Sequence, residues 1–388
     1  MAALLMRLVA IGTENPPGRN LGRCAEVLSA AMDELGLRPE VMPVYDSTGV
    51  ADAPCIVRGR AGTGPRLIYF HGHFDVVPAQ HHAQFAARRT DGWITGRGTA
   101  DMKGGIVSML YAAAAAQDLG LLDDGRIVIH LVCDEETGST LGSGYLDDHD
   151  LIDPSALAML TAEQSGETIW PAAKGALSLR VDVRGRPIHV GQAFNGVNSF
   201  LHMIHIAAPL EQYAQQMSER HTAHTVGEGE ARGTMVVIGG QSGGGSNFNV
   251  VPGRTWFTVD GRFNPEEDIT LELQRISELV DTAAKKIGAD ASIEVNQLAD
   301  AAHTPVDSRT ARLLAESVEI INGRSGRFEL CPGCLDTRWY ARRGIPAFGY
   351  GPGGFAVSHG PEERVEEAAL RRVASVYATF AARLITAP

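Results

Sequence analysis

Apolar and polar positions follow two different periods along the first part of the chain. Short apolar runs of strand character lie at residues 66–70, 126–133 and 156–160. Between the first two, an alanine-rich segment that begins at Gly104 has the composition of a helix. Strands that alternate with helices in this order predict an α/β fold.

A different pattern begins near residue 176. The segments LSLRVDVRG, TMVVIGG and TWFTVDGRF read as alternating strands, with a helical stretch from about Ser199 between the first two. Strands of this kind bury one face of their sheet and leave the other in water. We expect an inserted α+β unit at residues 177–297, within a domain formed by residues 1–176 and 298–388.

Composition limits the partners and the location of the chain. Its 388 residues are enough for two domains, and a net charge of −12 without a run of Lys and Arg argues against nucleic acid as a partner. The apolar N-terminus MAALLMRLVAIG lacks the basic leader and cleavage site of a signal peptide. The helix at residues 106–116 is too short to span a membrane. These features predict a cytoplasmic protein that begins with a helix.

Five cysteines, at positions 24, 55, 133, 331 and 334, are an odd number spread over a long chain. This usage fits a reducing compartment better than a disulfide framework. Cys331 and Cys334 have the C-x-x-C spacing of a redox pair, but no second pair or thioredoxin-like context accompanies them. A redox function is therefore a minor alternative.

The segment YFHGHFDVVPA, residues 69–79, carries His71, His73 and Asp75 at the end of an apolar run. Alternate side chains of a strand point to one face, so these three could converge on a metal ion. The alternative is an ordinary surface turn in which the histidines have no functional role. Further candidates stand after apolar strands or in glycine-rich loops: Asp101, Glu135, Glu136, Glu163 and His359.

These scattered side chains could meet, because the loops after the strands of an open α/β sheet share one crevice. A catalytic Zn²⁺ usually takes three protein ligands, whereas this set offers more, so two ions fit better. A water between two ions ~3.5–4 Å apart would become a nucleophile near neutral pH. The pair Glu135 and Glu136 suggests that one binds metal while the other takes a proton from that water, although alone it reads as a solvated loop.

Together, the segments GHFDVVP, GRGTADMKGG, DEETGS, NVVPG and SHGPEE resemble the motifs of a known family in order and spacing. It is the family of co-catalytic metallohydrolases that includes acetylornithine deacetylase, succinyl-diaminopimelate desuccinylase, aminoacylase and glutamate carboxypeptidase. The resemblance runs from Asn15 to Glu363 and covers nearly the whole chain. It implies a zinc-peptidase-like catalytic domain with a central, mostly parallel sheet, and an inserted α+β domain that serves as a dimerisation or lid domain.

The resemblance also implies the ligands of both ions: His73, Asp101 and Glu163 for one, and Asp101, Glu136 and His359 for the other. Glu135 aligns with the general base, and Asp75 with the carboxylate that fixes the tautomer of His73. The peptide bond between Asp101 and Met102 is expected to be cis. His71 is expected to be only a neighbour of His73 in the strand.

Substrate contacts are implied in the same way. His189, in RGRPIHVGQAFNGVNS, matches a histidine that helps to stabilise the anionic tetrahedral intermediate, often in the other subunit's active site. Without the resemblance, His189 would read as an exposed loop histidine. Arg262 matches a residue that contacts a substrate carboxylate, for which a guanidinium clamp is suited. Asn249, Gly333 and Arg338 match further substrate positions.

The sequence therefore predicts a cytoplasmic homodimeric enzyme that uses two divalent ions, Zn²⁺ foremost, with Co²⁺ or Mn²⁺ as alternatives. In this hypothesis a metal-bridging hydroxide attacks the amide bond of an N-acyl amino acid, and Glu135 is the general base. A dipeptidase or glutamate-type carboxypeptidase is the alternative with the same chemistry. A non-catalytic binding protein on this fold would be expected to lose its base or a ligand, and this chain keeps all of them.

Overall fold

The structure is a computed structural model that describes residues 1–44 and 53–387. Its strands are β1 (Glu40–Pro43), β2 (Cys55–Gly62), β3 (Arg66–His73), β4 (Arg88–Thr90), β5 (Trp93–Thr95), β6 (Gly125–Val132), β7 (Ala158–Thr161), β8 (Ile169–Ala173), β9 (Gly175–Arg184), β10 (Met235–Gly244), β11 (Arg254–Phe263), β12 (Asp290–Ala299), β13 (Ala302–His303), β14 (Phe328–Cys331), β15 (Ala347–Gly349) and β16 (Arg364–Glu366). Its helices are α1 (Ala2–Val9), α2 (Leu21–Glu34), α3 (Lys103–Asp118), α4 (Ser143–Asp148), α5 (Ser199–Ser218), α6 (Ile269–Ile287), α7 (Arg309–Asn322), α8 (Thr337–Ala341) and α9 (Glu367–Thr386).

The chain divides into two compact units. The first comprises Met1–Pro171, His303–Glu329 and Asp336–Pro388, and the second comprises Ala172–Ala302 and Leu330–Leu335. The short segment Leu330–Leu335 belongs to the second unit because Leu330 N donates to Thr225 O at 2.7 Å, and Lys174 N donates to Cys331 O at 3.3 Å. Gly333, which the sequence placed in the catalytic domain, therefore lies in the second unit. One short strand leaves too weak a hydrophobic pattern to reveal such pairing.

The centre of the sheet in the first unit is parallel. β3 runs parallel to β6 on one side and to β7 on the other, and β15 runs parallel to β7. β2 and then β1 extend the sheet beyond β6 in antiparallel orientation. The predicted α/β fold with a mostly parallel central sheet is thereby confirmed.

Both faces of β3 are buried. Ile68 and Phe70 belong to the large core that contains residues of α3 and α9, whereas Tyr69 belongs to a second core with Val128 and Tyr340. Full burial of such a side chain contributes about 1.5–3 kcal/mol relative to exposure. Burial on both faces explains why this strand reads as a continuous apolar run rather than an alternating one.

The second unit is built on an antiparallel sheet in the order β10, β11, β9, β12. Buried residues of β9 and β11 alternate with more exposed ones, and they share a core with α5 and α6. Both helices begin at a side-chain cap: Asn198 accepts from the backbone of Phe200 and Leu201, and Asp268 caps α6 in the same way. This is the arrangement of an α+β unit with helices on one face.

Two further expectations concern the N-terminus and the cysteines. The N-terminus forms α1 and buries Leu4, Leu5, Leu8 and Val9, as predicted. In residues 1–44 and 53–387, none of the helices combines the length and the apolar character that a membrane crossing requires. None of the five cysteines, which lie in the described ranges, is in a disulfide, and four of them are buried.

We expect Gly105→Ala to destabilise the protein by about 2 kcal/mol or more, because overpacking a core has a cost of this size. A Cβ at Gly105, inside α3, would lie 2.0 Å from the backbone oxygen of Ala162, just after β7. Helix propensity alone would make the alanine variant more stable by about 1 kcal/mol. A lower free energy of unfolding would therefore be due to the steric clash. Urea denaturation measures it.

Gly354→Ala is the control for this measurement. Gly354 has φ −101°, and a Cβ there would meet no atom within 4 Å. Its substitution should change the free energy of unfolding by less than about 0.5 kcal/mol. A neutral or stabilising Gly105→Ala would contradict the close approach of α3 to the segment after β7.

Candidate metal centre and active site

The candidate ligands stand where parallel strands end. His73 is the last residue of β3, Glu136 follows the end of β6 by four positions, and Glu163 follows the end of β7 by two. Because β6, β3 and β7 run parallel side by side, their carboxyl ends share one edge of the sheet. Asp101 lies just before α3, and His359 lies in the loop before β16. The topology therefore brings residues from five segments to one edge.

These side chains form two groups that share Asp101. In the first, Nε2 of His73 lies 3.0 Å from Asp101 Oδ1 and 3.7 Å from Glu163 Oε1. In the second, Nε2 of His359 lies 3.0 Å from Asp101 Oδ2 and 3.4 Å from Glu136 Oε1. Within each group the potential ligand atoms all lie within 4.8 Å of one another.

The donor set fits a pair of divalent cations. Each group offers one imidazole nitrogen and two carboxylate oxygens, which suits Zn²⁺ and its neighbours in the first transition series. Asp101 directs a different oxygen to each group, an arrangement that suits a carboxylate shared by two cations. The peptide bond between Asp101 and Met102 is cis, as the resemblance implied.

The crowded carboxylates perturb one another. Burial raises the pKa of Glu163 to about 8, and the charge of Asp101 adds to the shift. Burial and the Asp101 carboxylate also raise the pKa of Glu136. Burial alone would raise the pKa of Asp101 as well, but hydrogen bonds from His359 and His73 hold it below its usual range. The site therefore keeps a negative charge at its centre.

Both histidines respond to that charge. Burial alone would lower the pKa of His73, but hydrogen bonds donated to Asp101 and Asp75 hold it well above its usual value. The carboxylates of Asp101 and Glu136 raise the pKa of His359 to about 10. The five side chains thus favour a positive charge between them. A bound cation would displace the extra protons from the imidazole rings of both histidines.

Asp75 orients both a histidine and a turn. Nδ1 of His73 lies 3.1 Å from the backbone oxygen of Asp75 and 3.4 Å from its Oδ1, so the carbonyl is the nearer acceptor. The carboxylate of Asp75 also accepts from the backbone N–H groups of Glu135, at 3.3 Å, and Glu136, at 3.2 Å. One buried residue therefore fixes the ring of His73 and the start of the turn that carries the glutamate pair.

The two glutamates of that turn are placed differently. Glu136 belongs to the ligand group of His359, whereas the two ligand groups found among the described residues do not include Glu135. The side chain of Glu135 is half-buried. Desolvation is the main cause that raises its pKa well above the usual value. Its carboxylate is therefore available for another task beside the cluster.

Comparison with known proteins decides the family. Residues 69–383, most of the chain, match the description Peptidase family M20/M25/M40. The chain belongs to this family. The M20 chain is 23% identical to N-formyl-4-amino-5-aminomethyl-2-methylpyrimidine deformylase of Halalkalibacterium halodurans, over 98% of this chain and 93% of that protein. It is 26% identical to succinyl-diaminopimelate desuccinylase of Methylorubrum populi, over 92% of each.

Solved structures share the fold of the M20 chain along its whole length. An M20 family metallo-carboxypeptidase from Sulfolobus solfataricus has a TM-score of 0.82 at 16% identity and covers 99% of both chains. A dinuclear metal-binding peptidase of the M20 family from Bacillus subtilis has a TM-score of 0.68 at 14% identity, again over 99% of both chains. Family membership makes the chain a metal-dependent hydrolase that acts on amide bonds.

A buried ion pair, missed in the sequence, holds two ligand-bearing loops of the M20 chain together. Arg97 Nη1 donates to Glu363 Oε2 at 2.6 Å, and Arg97 Nη2 donates to the backbone oxygen of His359 at 3.1 Å. Glu363 also accepts from the backbone N–H groups of Gly98, Ala100 and Asp101 at 2.9–3.1 Å. We call Arg97 and Glu363 the loop clasp. The GRG and SHGPEE motifs contain these residues, but nothing in the sequence pairs them.

A second polar network lies behind the glutamate turn. Asp336 accepts from Ser139 Oγ at 2.5 Å and from Ser143 Oγ at 2.6 Å, and its Oδ2 lies 3.0 Å from Nε2 of His71. Nδ1 of His71 is 3.1 Å from the hydroxyl of Tyr340. His71 is therefore more than a neighbour of His73, because it connects β3 to Asp336 and Tyr340 of the α8 region, and Asp336 in turn binds the segment that follows the turn.

Arg338, an expected substrate contact, is buried in the first unit. Its Nη1 lies 3.3 Å from Asp336 Oδ1, and its Nη2 donates to the backbone oxygen of Gly138 at 3.2 Å. These contacts brace the end of the glutamate turn.

The remaining expected substrate residues lie in the second unit. His189 and Asn249 are brought together there, since Val190 N donates to Asn249 O at 2.9 Å. His189 is exposed, and Arg262 donates to Asp260 Oδ1 at 2.8 Å. Gly333 lies in the short segment that joins this unit. Their roles toward substrate stay predictions.

We expect Glu363→Gln to weaken the binding of at least one cation by about 10–100-fold, as is typical when a residue that supports metal ligands is changed. The loss of charge weakens the loop clasp, so Asp101 and His359 lose their fixed orientation. Calorimetric metal titration and elemental analysis after dialysis measure the effect.

Glu367→Gln is the matched control. Glu367 forms a bidentate ion pair with Arg89 at 2.5 and 2.8 Å in the same unit, but these contacts involve no candidate ligand. Metal affinity should stay as in the wild type. If Glu363→Gln also bound metal like the wild type, the loop clasp would not position the ligands.

Proposed function

We propose that this chain hydrolyses the amide bond of an N-acyl amino acid, using two divalent cations and Glu135 as the general base. One observation carries the proposal. Two ligand groups share the Asp101 carboxylate, and Glu135 stands beside them on the same turn as the ligand Glu136.

The ligands we propose are His73, Asp101 and Glu163 for one cation and Asp101, Glu136 and His359 for the other. Zn²⁺ is the ion we propose, with Co²⁺ or Mn²⁺ as alternatives that accept the same donors. When bound, such a pair of cations activates water and polarises the carbonyl of the substrate.

Glu135 would take a proton from the attacking water and give it to the leaving amine. Its position is fixed by the hydrogen bond from its backbone N–H to Asp75. Because it does not share in ligand binding, its carboxylate can change protonation without loss of a metal ligand. Asp75 would hold His73 with Nε2 toward the cation, since Nδ1 faces the backbone oxygen of Asp75.

His189 would stabilise the oxyanion that develops on the substrate carbonyl. Gly191 N donates to Nδ1 of His189 at 3.1 Å, so the neutral ring carries its proton on Nε2 and can donate from there. We propose Arg262 as a clamp for a substrate carboxylate and Asn249, Gly333 and Arg338 as further substrate contacts. A cytoplasmic homodimer formed through the second unit completes the proposal.

A dipeptidase or glutamate-type carboxypeptidase is the second candidate. The solved structure from Sulfolobus solfataricus, which covers 99% of this chain, is described as a metallo-carboxypeptidase. The same ligands and the same base would serve this reaction, so the residues that contact the substrate decide between the two candidates.

We expect Glu135→Gln to lower kcat by about 10²–10⁴-fold, the usual contribution of general acid–base catalysis, while the metal content stays at the wild-type level. Its neighbour provides the matched control. Glu136→Gln should lower both kcat and the number of bound cations, because it removes a ligand oxygen. Steady-state kinetics and elemental analysis distinguish the two. Wild-type turnover by Glu135→Gln would refute its assignment as the base.

Activity assays on two substrate panels test the reaction itself. We expect the metal-loaded enzyme to hydrolyse N-acyl amino acids with higher kcat/KM than dipeptides or peptides with a C-terminal glutamate. Chelation should abolish turnover, and Zn²⁺, Co²⁺ or Mn²⁺ should restore it. Higher kcat/KM for the peptides would select the second candidate, and turnover unaffected by chelators would refute both.

A further inference from the structure

A cavity of about 290 Å³ lies on one face of the central sheet, away from the metal ligands. Side chains of β2, β3 and β6 line it, among them Arg58, Arg60, Tyr69 and Arg126. Tyr69 is four residues before His73 on β3, a separation of about 13 Å along the strand. The cavity is therefore distinct from the candidate active site.

Strand register directs the three arginines to this cavity. Arg58 and Arg60 are two residues apart on β2, so both side chains stand on the same face. On β6, Val128 pairs with Arg60, and Arg126 pairs with the next residue of β2 on that face, Gly62. Guanidinium groups from neighbouring strands thus converge on one patch, in a chain whose net charge is −12.

The acidic side chains that line the cavity already have partners. Asp153 lies 3.5 Å from Arg126 Nη2, and Asp150 lies 2.8 Å from Nη1 of Arg343. In the described part of the chain, Arg60 has no ion-pair partner, and Nε of Arg58 is buried without a hydrogen bond. Nη1 of Arg58 is 3.6 Å from an exposed Glu40 carboxylate. Positive charge in the cavity therefore exceeds negative charge.

The remaining polar groups are fixed in place. Arg126 Nη1 donates to the backbone oxygens of Gly64 and Pro65, both at 2.9 Å, which holds its guanidinium. The hydroxyl of Tyr69 accepts from Asp153 N at 2.9 Å, so its own proton is free for another acceptor. A ligand that accepts hydrogen bonds from guanidinium and hydroxyl groups together would satisfy this lining.

We propose that the cavity binds a phosphate-type oxyanion, either inorganic phosphate or a small phosphate monoester. The oxygens of a tetrahedral dianion match the fork of a guanidinium group, and the dianion has more negative charge and more acceptor oxygens than a single carboxylate, so it can bind several donors of this lining at once. Arg60 supplies a charge without an ion-pair partner in the described part of the chain, and Arg58 offers its unbonded Nε–H. Arg126 on β6 adds a third guanidinium group, and Tyr69 donates its hydroxyl proton. The volume admits a small ligand only.

Calorimetric titration of the metal-loaded enzyme with inorganic phosphate, at constant ionic strength, tests this proposal. Phosphate can also bind the metal centre. The difference in phosphate affinity between the wild type and a variant without the Arg60 side chain therefore measures binding at the cavity. We expect Arg60→Ala to weaken binding at this site by about tenfold or more, the usual effect of losing a charge-assisted hydrogen bond. Arg88→Ala is the matched control, because Arg88 is likewise exposed on a strand of the first unit.

A second variant and a second ligand complete the test. Arg58→Lys keeps the charge but removes the planar fork, and it should weaken binding less than Arg60→Ala weakens it. Methyl phosphate binding as tightly as phosphate would identify a monoester as the ligand class, and binding of phosphate alone would identify the free ion. Unchanged phosphate affinity in Arg60→Ala, with circular dichroism as in the wild type, would overturn the proposal.

Discussion

The carboxylate of Asp101 lies 3.0 Å from Nε2 of His73 through one oxygen and 3.0 Å from Nε2 of His359 through the other. A residue that serves two groups must have both oxygens fixed, because any rotation of its side chain disturbs both. Two hydrogen bonds restrain Asp101: Gln164 Nε2 donates to its Oδ2 at 2.9 Å, and its backbone N–H donates to Glu363 at 3.1 Å. The start of α3 two residues later also restrains its backbone. The remaining ligands are arranged around this shared group.

Several negative charges share this small region, which by itself would destabilise the folded protein. Burial raises the pKa values of Glu163 and Glu136, whereas hydrogen bonds to the carboxylates raise those of both histidines. Both effects favour neutralisation of the buried carboxylates by protons or by cations. The loop clasp is itself a buried ion pair, so its net contribution to stability is small, and its role is to hold the loops in register. Stability is supplied elsewhere, by the apolar cores on both faces of the sheet.

The sequence located the candidate ligands because each stands close to a visible boundary. His73 ends an apolar run, and Glu136 and Glu163 follow such runs, while Asp101 and His359 lie in motifs whose order and spacing could be matched. The loop clasp could not be found in this way. Arg97 and Glu363 are 266 residues apart, and a polar contact between two loops leaves no periodic pattern. The same reason hid the contact of His71 with Asp336.

Chemistry was also easier to predict than substrate, and the structure explains why. Three of the candidate ligands, His73, Glu136 and Glu163, lie at or just after the ends of strands with buried faces, so the packed core dictates their positions and their sequence context is distinctive. His189 and Asn249 lie in loops of the second unit, where local backbone hydrogen bonds set the conformation and many side chains would be tolerated. A recognisable core with variable loops allows one hydrolytic mechanism to act on different amides, so substrate selectivity must be measured on this chain itself.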